Sequence, residues 1–384
     1  MVVGNTRRVL TFGSFLAFFV FGFIDNLKGP TLPSILDEVG LSYVQGGTIV
    51  LGAYLGFLLA TLLSGVLSDF VGRKAVLLAA AAALAAGMLG YSFSRRLLML
   101  VLTMSVIGAG LGFIELGGNA LIVDIHTRHR GRYLNLLTFF HGVGSVLAPL
   151  YAAQLIARQY SWPRAYQFFV PSALLLLFVF LLPREPSRRS ERRSKLHLSQ
   201  ARILLRAHTI LFSILMCAYV AVELSLAAWM VEFLQNAKRM AIQTSSLFLS
   251  LFFAGITVGR LLGSLFVDKV GFVRSMLVVS FAATICLIAG VFCGAEYAFF
   301  LPVSGIFLSI MFPTITAAVS AEQDRNVGTV LGVLFAFGGI GGMLGPWAVG
   351  LTSDLLGLQY GFVATIGLCL VMLVSLVIAL RRRY

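Results

Sequence analysis

Charge is scarce in this chain. Only 11% of its 384 residues are Asp, Glu, Lys or Arg, and the acidic ones number 15. Soluble domains carry roughly a quarter charged residues, so a water-soluble globule is excluded. Cysteine is scarce too: Cys217, Cys286, Cys293 and Cys369 show no CxxC spacing, which predicts neither a disulfide framework nor a metal site. No glycine-rich phosphate loop occurs in a polar segment, because the glycine-rich runs 108–118 and 338–345 lie in apolar stretches. Nucleotide-driven chemistry, and a cofactor of any kind, are therefore not expected. Also missing is an aromatic-basic module to accompany the net charge of +14, which argues against a nucleic-acid partner.

What is abundant is apolar: 59% of the residues are hydrophobic. A spanning helix needs about 20 mainly apolar residues. Twelve such runs follow one another, at 9–35, 44–68, 75–94, 97–124, 133–157, 165–182, 207–234, 245–267, 274–293, 297–320, 327–353 and 361–380. The first is too long for a cleaved signal peptide. The expected fold class is an all-α integral membrane protein of twelve transmembrane helices, embedded in the lipid bilayer as a monomer.

The positive charge then reads as topology. With the N-terminus in the cytoplasm, inner loops and tails hold 21 of the 29 Lys and Arg, outer loops hold six, and Lys28 and Arg260 lie within spans. That asymmetry is the positive-inside rule. It puts both termini in the cytoplasm of a multi-pass protein of the cell (plasma or inner) membrane. One long polar stretch, Pro183 to Arg206, contains eight basic residues and reads as a topogenic loop touching anionic headgroups. It divides the chain into a six-helix bundle at 1–183, a basic linker at 184–206 and a second six-helix bundle at 207–384.

The two halves are repeats. "GVLSDFVGRK" (65–74) recurs as "SLFVDKVGFV" (264–273), matching Asp69 to Asp268 and Gly72 to Gly271 at an offset of 199. "HGVGSVLAP" (141–149) recurs as "GGIGGMLGP" (338–346) at 197, and Asp25 matches Glu223 at 198. Two pseudo-symmetric six-helix repeats point to a transporter, with its site at the repeat interface near the midplane.

Twelve spans, a central basic loop and "GVLSDFVGRK" after the second span resemble the major facilitator superfamily. The resemblance implies a gating role for Gly65, Asp69, Gly72, Arg73, Lys74 and Asp268. Gly65 lets helices approach, Gly72 permits the tight turn, and Asp69 and Arg73 can form an ion pair that breaks as the halves rock. In the second copy Phe272 and Val273 replace the basic pair, so its gate is expected to be weaker or built differently. Four further stretches are similar to the fucose, galactose and glucose permeases of that superfamily: "ELGGN" (115–119), "LNLLTFFHGVGS" (134–145), "YVAVELSLAAW" (219–229) and "SGIFLSIMFPTI" (304–315). One feature departs from the fucose permease pattern. Gly29 fills the place of its first-helix acid, and the acid here is Asp25, one turn earlier.

Ionisable groups inside a membrane are costly and therefore functional candidates. At 1.5 Å per residue, Glu115 lies roughly 15 Å from the inner end of the fourth span, near the midplane, and His141 comes to a similar depth in the fifth. Asn119 is one turn from Glu115 on the same face. Carboxylate, amide and imidazole together supply the donors and acceptors a polyhydroxylated ring requires. Asn26, Trp229 and Thr314 are secondary candidates for binding, Trp229 either stacking on a sugar or sitting at the membrane interface. Asp25 and Glu223 are candidates for proton coupling, together with Lys28. Lys28 stands at i+3 from Asp25 and can neutralise it, whereas Glu223 has no basic neighbour at i±3 or i±4.

The expected function is transport of a monosaccharide such as glucose, galactose or fucose by alternating access, as a uniporter or a symporter with H⁺ or Na⁺. The alternative within transport is a drug or amphipathic-compound:proton antiporter, which a polar trio like Glu115, Asn119 and His141 does not suit. From other classes, a sugar sensor would carry a long cytoplasmic tail. An intramembrane hydrolase would have to rest on Ser145 near His141. No enzyme is expected.

Overall fold

The structure, a computed structural model, describes residues 2–182, 207–263, 265–321 and 327–382. The linker at 184–206 lies outside the described residues, as do the side chains of Gly65, Asp69 and Asp268. Every described element is helical, and no strand occurs among the described residues. The helices are α1 (Val2–Asn26), α2 (Lys28–Val39), α3 (Tyr43–Val71), α4 (Arg73–Phe93), α5 (Leu97–Ile125), α6 (Arg130–Ala157), α7 (Trp162–Gln167) and α8 (Val170–Leu181). They continue as α9 (Ala207–Asn236), α10 (Ile242–Gly263), α11 (Val267–Val270), α12 (Phe272–Phe292), α13 (Phe300–Leu308), α14 (Met311–Ala321), α15 (Val327–Leu356) and α16 (Leu358–Arg381). Twelve segments among the described residues are long and apolar enough to cross a membrane, from Thr6–Val39 to Leu358–Arg381.

Three of those spans are broken, and proline accounts for each break. A proline removes one N–H and pushes on the carbonyl four residues earlier. Pro30 therefore acts on Asn26, Pro171 on Gln167 and Pro313 on Ser309, and α1, α7 and α13 end at or just before those positions. Pro149 and Pro346, by contrast, lie inside unbroken helices.

The chain forms two compact units: Met1–Leu41 with Thr48–Arg193, and Ser42–Gly47 with Ser194–Tyr384. The strip Ser42–Gly47 joins the second unit because Asp354 caps the start of α3. Its two carboxylate oxygens accept the backbone N–H of Tyr43 at 2.9 Å and of Val44 at 2.8 Å.

Within each unit, helices in lipid associate by close packing rather than by hydrophobic exclusion, so small residues set the contacts. In the first unit Gly144 of α6 lies against the Phe19 carbonyl of α1, and in the second Gly341 of α15 lies against the Cys217 carbonyl of α9. The two turns of the repeated motif also agree. Gly72 has φ 85° and ψ 157°, and Gly271 has φ 94° and ψ 149°, a conformation L side chains rarely adopt.

Candidate functional site

The central candidate is built on one turn of α5. Asn119 Nδ2 donates to the Glu115 main-chain carbonyl at 2.7 Å and to Glu115 Oε1 at 3.1 Å. The i, i+4 spacing thus produces a carboxylate–amide pair, and both side chains are half-buried. His141 of α6 is half-buried as well, its ring edge-on to Phe21 of α1 at 4.7 Å. Helix α1 packs against both neighbours: Phe18 lies on Gly118 of α5, and Phe19 lies on Gly144 of α6. Three polar residues thus remain partly open on helices whose other faces are apolar.

Asn26 has a different setting. It is only 4% exposed, and its amide donates to Gly22 O at 2.9 Å and to Ser145 Oγ at 3.0 Å. It fastens α1 to α6, and both its N–H donors are already in use. Ser145 in turn donates to the His141 main-chain carbonyl at 3.0 Å. The hydroxyl proton is therefore directed at backbone rather than imidazole, which removes the geometric basis for a serine nucleophile.

Trp229 corrects both sequence expectations. It is fully buried, its indole N–H donates to Pro346 O at 2.8 Å, and the Tyr43 ring meets it at 5.9 Å. Neither ring face is exposed, to a sugar or to the surface. Thr314 is also buried, on α14, where apolar packing leaves it little access to solute.

Of the coupling candidates, Asp25 and Lys28 form an ion pair at 2.5 Å. Tyr54 of α3 completes the set, 3.3 Å from Lys28 Nζ and 3.5 Å from Asp25 Oδ2. The ammonium also lies 4.3 Å from the centre of the Tyr54 ring. Glu223 of α9 is half-buried and faces the hydroxyl of Tyr219, which also faces Arg260 of α10.

In the gating motif, Arg73 forms an ion pair with Asp124 of α5 and donates to Ala120 O at 2.7 Å. Sequence reasoning did not single out Asp124, 51 residues further along the chain, because that contact exists only once α4 packs on α5. Lys74 Nζ donates to Leu181 O at 3.1 Å and ties the start of α4 to the end of α8. No group of three or more metal-ligating side chains occurs among the described residues, and the four cysteines are free.

Repeated helical units, each carrying polar side chains within its spans, define the class of a multi-pass membrane transporter. The chain belongs to the Major Facilitator Superfamily, whose family model matches residues 14–321 and 211–384. It is 24% identical over 381 residues to a Helicobacter pylori protein named as a glucose/galactose transporter, covering 92% of this chain and 91% of that one. It is 33% identical over 138 residues to the mouse (Mus musculus) sodium-dependent glucose transporter 1A, which covers 36% of this chain and about a third (32%) of the mouse protein. Among solved structures, a nucleoside transporter superposes with a TM-score of 0.82 at 14% identity, covering 97% of this chain and 99% of that one. At that identity the last match speaks for the fold alone.

Proposed function

We propose that the chain carries a monosaccharide, a neutral hexose in the glucose, galactose and fucose class, across the cell membrane by alternating access. Both termini face the cytoplasm and the working unit is a monomer. The observation that carries this reading is the half-buried Glu115–Asn119 pair at mid-span in α5. A carboxylate there offers acceptors, and its amide neighbour offers both donor and acceptor. His141 adds an imidazole on the adjoining bundle helix. Relatives named for glucose and galactose transport support the same class of solute.

Coupling to a cation is part of the proposal. Asp25 is already neutralised by Lys28. Glu223 is joined to no cation by an ion pair among the described residues, which makes it the better-placed titratable carboxylate. H⁺ and Na⁺ are both candidate ions. Arg73, Lys74, Asp69, Gly65, Gly72 and Asp268 serve the rocking motion and do not touch solute.

The decisive experiment is counterflow with a panel of sugars in proteoliposomes, run with and without a pH or sodium gradient. Hexose exchange is expected, and exchange of nucleosides or amphipathic dyes in its place would overturn the reading. Glu115→Gln keeps the shape and one acceptor while removing the charge. Losing a hydrogen bond to a charged group typically costs about 1.5–3 kcal/mol, so sugar affinity should fall about ten- to a hundred-fold at every pH. Intact binding with loss of pH-driven accumulation would instead make Glu115 the proton carrier. A variant that behaves as the parent under all gradients would leave Glu115 a helix-packing residue.

A further inference from the structure

Lys28 is an ammonium with almost no access to water. It is 7% exposed and its partner Asp25 is 13% exposed, and both lie within one apolar span, Thr6–Val39. Features of the first unit that attract a cation converge on its Nζ. Asp25 Oδ1 accepts from it at 2.5 Å, the Tyr54 hydroxyl lies at 3.3 Å, and the centre of the Tyr54 ring lies at 4.3 Å. The phenol proton goes to Asp25 Oδ2 at 3.5 Å, which leaves the oxygen lone pairs for the ammonium. The span is also broken here: α1 ends at Asn26 and α2 begins at Lys28. The C-terminal end of a helix carries partial negative charge. Pro30 stands where an N–H for the Asn26 carbonyl would otherwise be, so that carbonyl has no helical donor. Helix ends of this kind inside transporter spans are places where a cation can be held. Shape alone does not call for charge at such a point, because apolar residues in place of a buried ion pair are often neutral or stabilising.

We propose that Asp25, Tyr54 and the C-terminal end of α1 form a site for a monovalent alkali cation, Na⁺ or K⁺, which the chain occupies with the ammonium of its own Lys28. The inference goes beyond the sugar reading and does not depend on which solute is carried. A carboxylate, a phenol oxygen and a ring face make a set that takes a cation and repels an anion. One carboxylate balances one positive charge, and a divalent ion would keep an uncompensated charge in a buried setting. The tether decides which cation is bound. Lys28 is three residues from Asp25, so its binding is intramolecular and independent of the ions in solution. A sodium or potassium ion has to displace an occupant that cannot leave. The carboxylate is therefore compensated without drawing on an ion gradient, and ion coupling is left to Glu223.

The test is the thermal midpoint of the purified protein as NaCl or KCl replaces choline chloride at constant ionic strength, which separates binding from screening. In Lys28→Met the midpoint should rise, beyond any rise in the parent, by about two degrees for each ten-fold increase in Na⁺ or K⁺, as a ligand bound only by the folded state requires. Any sodium bound at Glu223 raises parent and variant alike and cancels. Adding Asp25→Asn to Lys28→Met should remove the excess. Adding Tyr54→Phe instead should move the response to about ten-fold higher salt, since it takes away one oxygen and leaves the ring. A Lys28→Met response equal to the parent's overturns the inference, as does an excess that survives Asp25→Asn. A midpoint that rises only as pH falls puts a proton in the ion's place and overturns it too. Should Lys28→Met fail to fold in choline, recovery in sodium or potassium is the expected result. Should it fail in every salt, Lys28→Gln carries the test, since its amide keeps a hydrogen bond to Asp25 and supplies an oxygen to the ion. Failure of the sugar reading is seen separately, in counterflow, and leaves this result untouched.

Discussion

Each half of the chain places a carboxylate, a cation and a tyrosine inside its spans, and the two halves treat them differently. In the first unit the set is closed: Asp25, Lys28 and Tyr54 lie within 2.5 to 3.5 Å of one another. In the second, the Tyr219 hydroxyl interacts with both Glu223 and Arg260, and no ion pair joins Glu223 to Arg260 among the described residues. Asp25 and Lys28 are three residues apart across the break at Leu27, whereas Glu223 and Arg260 come from separate helices, α9 and α10. A pair adjacent in the chain holds its geometry through a conformational cycle. A pair split over two helices can open and close as those helices shift. The first set is suited to maintaining shape, and the second, with no ion pair among the described residues, is held less tightly.

The sharpest way to break this comparison is to remove one cation from each set. Taking one partner from a buried ion pair costs about 3–5 kcal/mol, because the other charge is left uncompensated. Asp25 and Lys28 are 13% and 7% exposed, so Lys28→Met should lower the thermal midpoint strongly, and Asp25→Asn in the same chain should restore most of it. Arg260→Met removes a charge with no ion-pair partner among the described residues and should leave stability unchanged or raised. Equal losses in the two single variants, measured by thermal unfolding in detergent, would show that the sets are not different in kind.

Much of this was legible in the sequence, and the limit has a physical form. Apolar runs fix the spans because lipid admits only internally bonded backbone, and the offset of about 198 revealed the repeat. The Glu115–Asn119 and Asp25–Lys28 contacts were legible because they lie one turn apart in the chain. Contacts between helices were not. The ion pair of Arg73 with Asp124 was not read at all, and the Asp69 side chain, the expected partner of Arg73, lies outside the described residues. Trp229 was read as a stacking or interfacial ring, yet Pro346 and Tyr43 enclose it. Nor did proline alone predict the breaks, since Pro30 interrupts its span while Pro149 does not.

A second prediction asks whether the halves are equally built where they look alike. A methyl group added at Gly144 or at Gly341 would run into a neighbouring carbonyl, that of Phe19 or of Cys217. Overpacking of this kind typically costs about 1–3 kcal/mol. Gly144→Ala and Gly341→Ala should therefore destabilise by similar amounts. Gly367→Ala is the control, since nothing lies within 4 Å of its added carbon. A large loss in one half only would mean that the repeat is kept in sequence but not in packing.

The smallest effect expected is also the most local, and it belongs to the first unit alone. His126 lies just beyond the end of α5 and is only 6% exposed. Arg7 Nη2 lies 3.0 Å from its Nδ1, Thr11 Oγ1 lies 2.8 Å from its Nε2, and Tyr133 stacks on the ring at 3.4 Å. An arginine can only donate, so Nδ1 must accept and the imidazole is neutral with its proton on Nε2. That proton goes to Thr11, whose own hydroxyl donates to Arg7 O at 2.8 Å. Burial, then the charges of Arg7 and His129, hold the imidazole below its ordinary value of 6.5. The unfolded chain therefore binds the proton more readily, and the stability this ring of bonds contributes is present above pH 6.5 and lost as pH falls from there through the lower folded value. His126→Gln offers Arg7 a carbonyl and Thr11 an N–H, so it should keep the contacts without titrating. In the parent the thermal midpoint should drop between pH 7.5 and 5.5 by a degree or two more than in the variant, roughly the shift that a few tenths of a kcal/mol produces. The repeat offset takes His126 to the stretch Gln323–Asp324–Arg325, which contains no histidine; the buried His208 of the second unit is common to parent and variant and cancels from the comparison. If parent and variant lose stability in parallel, protonation of His126 does not loosen this end of the first unit, and the neutral tautomer drawn from its neighbours is wrong.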